Sequence, residues 1–268
     1  MLKKKVGIIG TGRMGEALIK GILSERVVLA ENICAYDKNP ERLSSVSKTG
    51  IREASNIKQI IEKTDIIIIA VKPQDIDIVI KEIKNRIKSS HLLISIVAGI
   101  TTSYLIEKLG KEVPLIRVMP NITVMVGEGI SCISPAGKVN SEYIKITRKI
   151  FGAVGQVIEV PEEMQDAITG LSGSGPAYVY TFIRGIALGG IKAGLNEEIA
   201  YKLAIQTTLG AAKMAKELPS SLDELCRAVV SPGGTTAEGL KVLEEGKVES
   251  YLIKAVVKAT QRSRELKR

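Results

Sequence analysis

The chain has 268 residues, 45% hydrophobic and 25% charged, which excludes wholesale disorder and suffices for one large or two modest domains. Its net charge of +9 suits acidic or phosphorylated small molecules, whereas 3% aromatics and no Trp leave little to stack on bases, so no nucleic-acid partner is expected. A single histidine, His91, excludes a multi-histidine metal site and speaks against a Ser-His-Asp hydrolase, and the spacing of Cys34, Cys132 and Cys226 predicts free thiols in a reducing cytoplasm; no metal is expected.

The start, Met1-Leu2-Lys3-Lys4-Lys5, has the charge of a signal peptide, but Gly10, Gly12 and Gly15 interrupt the apolar run behind it. No stretch is apolar enough to span a bilayer, and a cytoplasmic protein without membrane contact is expected. Lys5–Ile9 predicts a strand, Arg13–Leu23 a helix with Met14, Ala17, Leu18 and Ile22 on one face, Asn32–Tyr36 a second strand and Glu41–Thr49 a helix. The run from Asp65 through Ile66, Ile67, Ile68 and Ile69 to Val71 is the mark of a strand covered on both faces; Leu92–Val97 and Val113–Val118 repeat it, with helices at Ile76–Ile87 and Thr101–Leu109. Strand–helix alternation implies an α/β, doubly wound parallel sheet over residues 1–160.

From about Pro161 the strand signal ends, and residues 161–268 read as all-α. Glu162–Ala193 is helical with an interruption at Ser172–Pro176; Gly194 is a helix stop, Asn196 caps a helix to Glu217, and Ser221 to Glu224 has capping-box spacing. Further helices follow Thr235 as far as Gly246 and cover Val248–Leu266. A helical half of this size has a thin core alone, and its small-residue stretches favour close helix contacts, so an obligate dimer at least is expected.

Two stretches carry chemistry. Gly10-Thr11-Gly12-Arg13-Met14-Gly15 is G-x-G-x-x-G between the first strand and first helix, the arrangement that brings a dinucleotide pyrophosphate against a helix N-terminus. Asp37, at the end of the second strand, is where a ribose-reading carboxylate is expected, which favours NADH; Lys38, Arg42 and Asn56 lie where a 2′-phosphate would be held, so NADPH or NADH stays open, and Asp37 also reads as the start of the turn Asp-Lys-Asn-Pro. Ala70-Val71-Lys72-Pro73, Val97-Ala98-Gly99 and Met119-Pro120-Asn121 all fall at carboxyl ends of parallel strands, where such sheets bind ligands. Arg117, in an apolar strand, also reads as a structural ion-pair partner. The second stretch is Ser231-Pro232-Gly233-Gly234-Thr235-Thr236-Ala237-Glu238, a flexible turn into a helix whose N–H groups form an anion site suited to a carboxylate. Thr235 and Glu238 have capping-box spacing, which leaves the Thr236 hydroxyl for a ligand.

Gly10–Gly15, Ala70-Val71-Lys72-Pro73-Gln74, Arg117-Val118-Met119-Pro120-Asn121, Asp166 through Tyr178 and Ser231–Leu240 together resemble pyrroline-5-carboxylate reductase, the last enzyme of proline biosynthesis, over nearly the whole chain. The resemblance implies reduction of 1-pyrroline-5-carboxylate to L-proline with NAD(P)H, an N-terminal Rossmann domain, and a C-terminal helical domain that binds substrate and dimerises, often into larger rings. It places Ile9, Gly10, Thr11, Gly12, Arg13 and Met14 on the pyrophosphate, and Asn56, Ala70, Val71, Lys72, Pro73 and Val97 on the cofactor. It further places Ser231, Gly233, Gly234, Thr235 and Thr236 on the substrate carboxylate, the Thr236 hydroxyl at the ring nitrogen as the catalytic contact, and Glu162 at a substrate-side acidic position. Asn121-Ile122-Thr123 departs from the family's Asn-Thr-Pro, and Cys226–Val229 from its usual acidic pattern. The nearest other reading is a hydroxyacid dehydrogenase, which would need a base where this chain has the apolar Val179 and Ile183; a non-catalytic dinucleotide-binding module would have no use for the second glycine-rich turn.

Overall fold

The computed structural model describes residues 1–137 and 139–268. Among them, eight strands form one sheet: β1 (Val6–Ile9), β2 (Ile33–Tyr36), β3 (Arg52–Glu53), β4 (Ile66–Ile69), β5 (Leu92–Ser95), β6 (Leu115–Pro120), β7 (Gly129–Pro135) and β8 (Gly155–Glu159). Their order is β3-β2-β1-β4-β5-β6-β7-β8. Every neighbouring pair is parallel except β6 with β7, which a single 3₁₀ turn at Ile122–Val126 connects. The helices between them are α1 (Arg13–Ser24), α2 (Pro40–Ser47), α3 (Ile57–Lys63), α4 (Ile76–Ile83), α5 (Thr102–Leu109) and α6 (Ser141–Gly152).

The period-2 alternation of a strand explains why β4 is four consecutive isoleucines. Ile66 and Ile68 join Val6, Ile8, Leu92 and Ile94 in a core under α1 and α6, while Ile67 and Ile69 join Ile9, Leu93 and Leu115 in a second core under α3, α4 and α5. The strand order reverses between β1 and β4, the topological switch point at which open α/β sheets bind ligands.

Beyond β8 come a 3₁₀ turn at Glu162–Met164, α7 (Gln165–Ile168) and a π-helical turn at Thr169–Gly173. The chain divides into two compact units, residues 1–173 with 258–268, and residues 174–257. The segment after β8 is bonded to the sheet: Gln165 Nε2 donates to the Cys132 carbonyl and to Ser134 Oγ on β7. The second unit holds α8 (Gly175–Lys192), α9 (Glu197–Glu217), α10 (Leu222–Val229), α11 (Thr235–Glu245) and most of α12 (Val248–Leu266). Asn196 caps α9 and Ser221 forms a complete capping box with Glu224. In this unit only Ala187, Ala200 and Ala204 are buried, whereas Phe182, Leu203, Leu209, Leu222, Val242, Tyr251 and Ile253 are exposed. Among the described residues no helix is long and apolar enough to cross a membrane.

Candidate functional site

The cofactor candidates converge on one edge. Asn56 follows β3, Asp37 and Lys38 follow β2, Gly10–Gly15 follow β1, Ala70–Pro73 follow β4 and Val97 follows β5: five adjacent parallel strands present them all at carboxyl ends. Gly10 has φ 101°, and a Cβ there would lie 2.6 Å from the Ala70 carbonyl oxygen. At Gly15 a Cβ would collide with the Gly10 carbonyl, whereas at Gly12 it would meet nothing within 4 Å. Two glycines are therefore required by the chain itself, and the third keeps open the space in front of α1.

Asp37 is committed to this loop. Its Oδ2 accepts from the Thr11 N–H at 2.6 Å and the Thr11 hydroxyl at 3.2 Å, and its Oδ1 accepts from the Asn39 N–H at 2.8 Å. It thus both fastens the Gly10–Gly15 loop and begins the turn into α2. The Lys38 ammonium lies 2.7 Å from Asp75 Oδ1. Asn56 Oδ1 caps α3 through the Gln59 N–H at 3.0 Å.

The first N–H groups of a helix need partners from outside it, which a side chain at the N-cap supplies. Side chains of Asn39, Asn56, Thr101, Asn140, Asn196 and Ser221 cap α2, α3, α5, α6, α9 and α10. Two helices that also start from extended backbone have no side-chain cap: α1 at Gly12 and α11 at Gly234. These are the two stretches singled out for anions. The spacing expectation that Thr235 caps its helix is corrected: Gly234 is the N-cap and Thr235 the first helical residue. The cause is the turn before it, in which Gly233 has φ 65° and the Gly234 N–H donates to the Ser231 carbonyl at 3.0 Å. Thr235 is exposed and Thr236 half-buried.

Glu162 is held by the sheet. Its Oε1 accepts from the Thr102 N–H at 2.8 Å and from Arg117 Nη1 at 3.0 Å, and its Oε2 accepts from the Thr102 hydroxyl. Arg117 is only 2% exposed, so the pair neutralises a cation inside the sheet. Burial alone would raise the Glu162 carboxyl, but the Thr102 and Arg117 hydrogen bonds outweigh it and hold the carboxyl below its ordinary 4.5. The depressed value means that Glu162 contributes stability above pH 4.5, lost as the pH falls through its folded value. Glu162→Gln is expected to destabilise the protein by about 3 kcal/mol at pH 7, because Arg117 loses its counter-charge, and by less at low pH. Urea unfolding at both pH values checks this, and an equal loss at both would remove the ionised pair from the account.

His91 lies at the amino end of β5, opposite the cofactor edge; its Nδ1 accepts from the Lys88 N–H at 2.9 Å, and burial and the Lys88 charge lower its pKa. It borders a basic cleft of about 660 Å³ that contains none of the candidate residues. Among the described residues no cluster of His, Cys, Asp or Glu is suited to a metal. Sequence reasoning gave no individual role to Asp166, which is 4% exposed and accepts from Ser263 Oγ at 2.8 Å; a buried carboxylate paired across 97 positions leaves no local signal.

Residues 5–99 match the family described as NADP oxidoreductase, coenzyme F420-dependent, and residues 162–266 match pyrroline-5-carboxylate reductase dimerisation. A pyrroline-5-carboxylate reductase from Methanosarcina acetivorans is 42% identical over 99% of both chains. A solved pyrroline-5-carboxylate reductase from Coxiella burnetii superposes with a TM-score of 0.94 at 32% identity over 100% of both chains. A solved pyrroline carboxylate reductase from Plasmodium falciparum, with NADP bound, gives 0.90 at 35% identity over 99% of both.

Proposed function

Because this chain belongs to the pyrroline-5-carboxylate reductase family, we propose that its two glycine-opened helices divide a reduction between them: α1 receives NAD(P)H and α11 receives 1-pyrroline-5-carboxylate, which leaves as L-proline. The protein is an NAD(P)H-using oxidoreductase of proline biosynthesis. The observation that carries the residue assignments is that α1 and α11 start from extended glycine N-caps with no side chain over their first N–H groups, whereas the six other α-helices with an extended N-cap residue are capped by its side chain.

When bound, the reduced nicotinamide would supply a hydride to the carbon of the protonated C=N bond, whose nitrogen already carries the proton taken from solvent, so that the product is a neutral amine and the cofactor is left oxidised. The chain supplies binding and electrostatics. The loop Ile9–Gly15 offers N–H groups to the pyrophosphate, and Gly12 leaves the room that a phosphate needs. Asn56, Ala70, Val71, Lys72, Pro73 and Val97 complete the cofactor edge, with Asp37 acting through Thr11 and Lys38 beside it. Ser231, Gly233, Gly234 and Thr235 hold the carboxylate, and the Thr236 hydroxyl hydrogen-bonds the ring nitrogen. A threonine is too weak an acid to be a general acid, so Thr236 orients the nitrogen and stabilises its change in charge. Glu162, with its oxygens on Thr102 and Arg117, serves the substrate side by fixing the frame. Residues 1–160 form the dinucleotide domain of this proposal and residues 161–268 the substrate and dimerisation domain, in a cytoplasmic enzyme without nucleic-acid or membrane partners.

The decisive experiment follows absorbance at the reduced-nicotinamide band. Consumption of NADPH or NADH with pyrroline-5-carboxylate, and no reduction of oxidised cofactor by hydroxyacids, supports the reading; the reverse pattern removes it. Comparing the two cofactors in the same assay settles which is preferred.

The helical unit forms a homo-oligomer, and three buried alanines are too little core for it to stand alone. We expect a dimer or a ring of dimers at every concentration accessible to light scattering; a monomer independent of concentration contradicts this.

A further inference from the structure

The end of α12 and the two residues after it pack within the first unit against the loop between β5 and α5. The Arg268 N–H donates to the Gly99 carbonyl at 2.8 Å. The Arg268 carbonyl accepts from the Thr101 N–H at 3.0 Å and from the Thr101 hydroxyl at 2.8 Å. Gly99 admits this approach, since a Cβ there would lie 3.1 Å from the Leu266 carbonyl oxygen.

Side chains brace the same segment. The Arg268 guanidinium is 3.6 Å from Asp77 Oδ2 on α4, and Asp77 Oδ1 accepts the Tyr104 hydroxyl of α5. Asp166, buried after β8, accepts from Ser263 Oγ at 2.8 Å and lies 3.6 Å from the Lys267 ammonium. The exposed ion pairs contribute little on their own. Val97 and Ile100 anchor the loop in the second core and Thr101 is tied to α5 by the Tyr104 N–H at 3.1 Å; between those anchors the internal bond, from the Ile100 N–H to the Val97 carbonyl, is long at 3.4 Å, and the Arg268 main-chain bonds add the restraint on the Gly99–Thr101 backbone.

We propose that residues 263–268 are a latch that holds the Val97–Thr101 loop in its cofactor-binding conformation, which makes Thr101 and Arg268 positioning residues for NAD(P)H. The latch rests on the reading of Val97 as a cofactor contact. It differs from a stabilising contact in what it changes: the affinity of the folded protein for cofactor, with the substrate turn untouched.

The test compares the full chain with a form lacking residues 267–268 and with Thr101→Val and Thr101→Ser. The dissociation constant for NADPH is read by fluorescence without substrate, alongside melting temperature, kcat and both KM values. Deletion is expected to weaken NADPH binding about tenfold, the equivalent of one to two net hydrogen bonds, and to leave the KM for the imino acid within twofold. Thr101→Val is expected to weaken NADPH binding by about threefold or more, and Thr101→Ser, which keeps the donor, to restore parental affinity. If the form lacking residues 267–268 fails to fold, deletion of Arg268 alone decides, because it removes both main-chain bonds and leaves the Thr101 cap on α5 in place. Unchanged NADPH affinity in a folded deletion variant overturns the latch. A full chain that binds NADPH but does not reduce pyrroline-5-carboxylate instead overturns the functional reading and leaves the latch standing.

Discussion

Thr236→Val is expected to lower kcat/KM for pyrroline-5-carboxylate by about 10–100-fold, the scale of a lost polar contact of about 1.4–2.7 kcal/mol. Valine matches threonine in shape and β-branching, and both have similar helix propensity, so the second residue of α11 is replaced without disturbing the helix. The melting temperature should therefore stay within a few degrees of the parent. Thr236→Ser keeps the hydroxyl and should retain most of the activity. Thr235→Val is the comparison: it keeps the main-chain N–H that Thr235 offers the carboxylate, so its loss is expected in the KM for the imino acid rather than in kcat. Steady-state kinetics of the three variants separate the hydroxyl from the helix terminus. An unchanged kcat/KM in Thr236→Val would leave the anion site intact but take Thr236 out of the reaction.

What the chain reveals on reading depends on how local the cause is. The strand at Ile66–Ile69 and the loop Gly10–Gly15 are legible because each is determined within a few residues, by burial on both faces and by backbone geometry. The family resemblance then extended that reading to Ser231–Thr236, whose shape alone was ambiguous. β3 is two exposed residues, and in β8 the neighbouring Val157 and Ile158 point to opposite faces between Gly, Gln and Glu, so no apolar alternation marks the strand. β7 runs antiparallel to β6 after the turn Ile122–Val126, whose flanking Pro120-Asn121 and Gly127 signal a turn but not the direction of the strand that follows. The T-x-x-E spacing misplaced the start of α11 by one residue, whereas the same logic at Ser221 was right. The difference is Gly233, whose left-handed backbone brings the chain into the helix early. Arg117 signalled an ion pair by standing in an apolar strand, but nothing near it identified Glu162, 45 positions on. The contact of Arg268 with Thr101 spans 167 positions and is made largely by main-chain atoms, which no side-chain pattern encodes.

The glycines of the dinucleotide loop separate cofactor binding from folding. Gly12→Ala is expected to fold with nearly parental stability, since its methyl group meets nothing within 4 Å and a Gly-to-Ala change at an N-cap costs about 1 kcal/mol or less. The same methyl occupies the space through which a pyrophosphate must approach the first N–H groups of α1. Losing charge-assisted hydrogen bonds of about 1.5–3 kcal/mol should weaken NAD(P)H binding by about 10–100-fold. Gly15→Ala should do the opposite: its Cβ collides with the Gly10 carbonyl inside the β1–α1 junction, and overpacking of this kind costs about 1–3 kcal/mol or more. Its folded fraction should bind cofactor with a loss no greater than the displacement of Gly10 imposes, while its melting temperature falls clearly. Thermal unfolding and cofactor titration on both variants check the division. If Gly12→Ala bound NADPH as tightly as the parent, the open space at the start of α1 would not be where the pyrophosphate lies, and the assignment of α1 to the cofactor would fall with it.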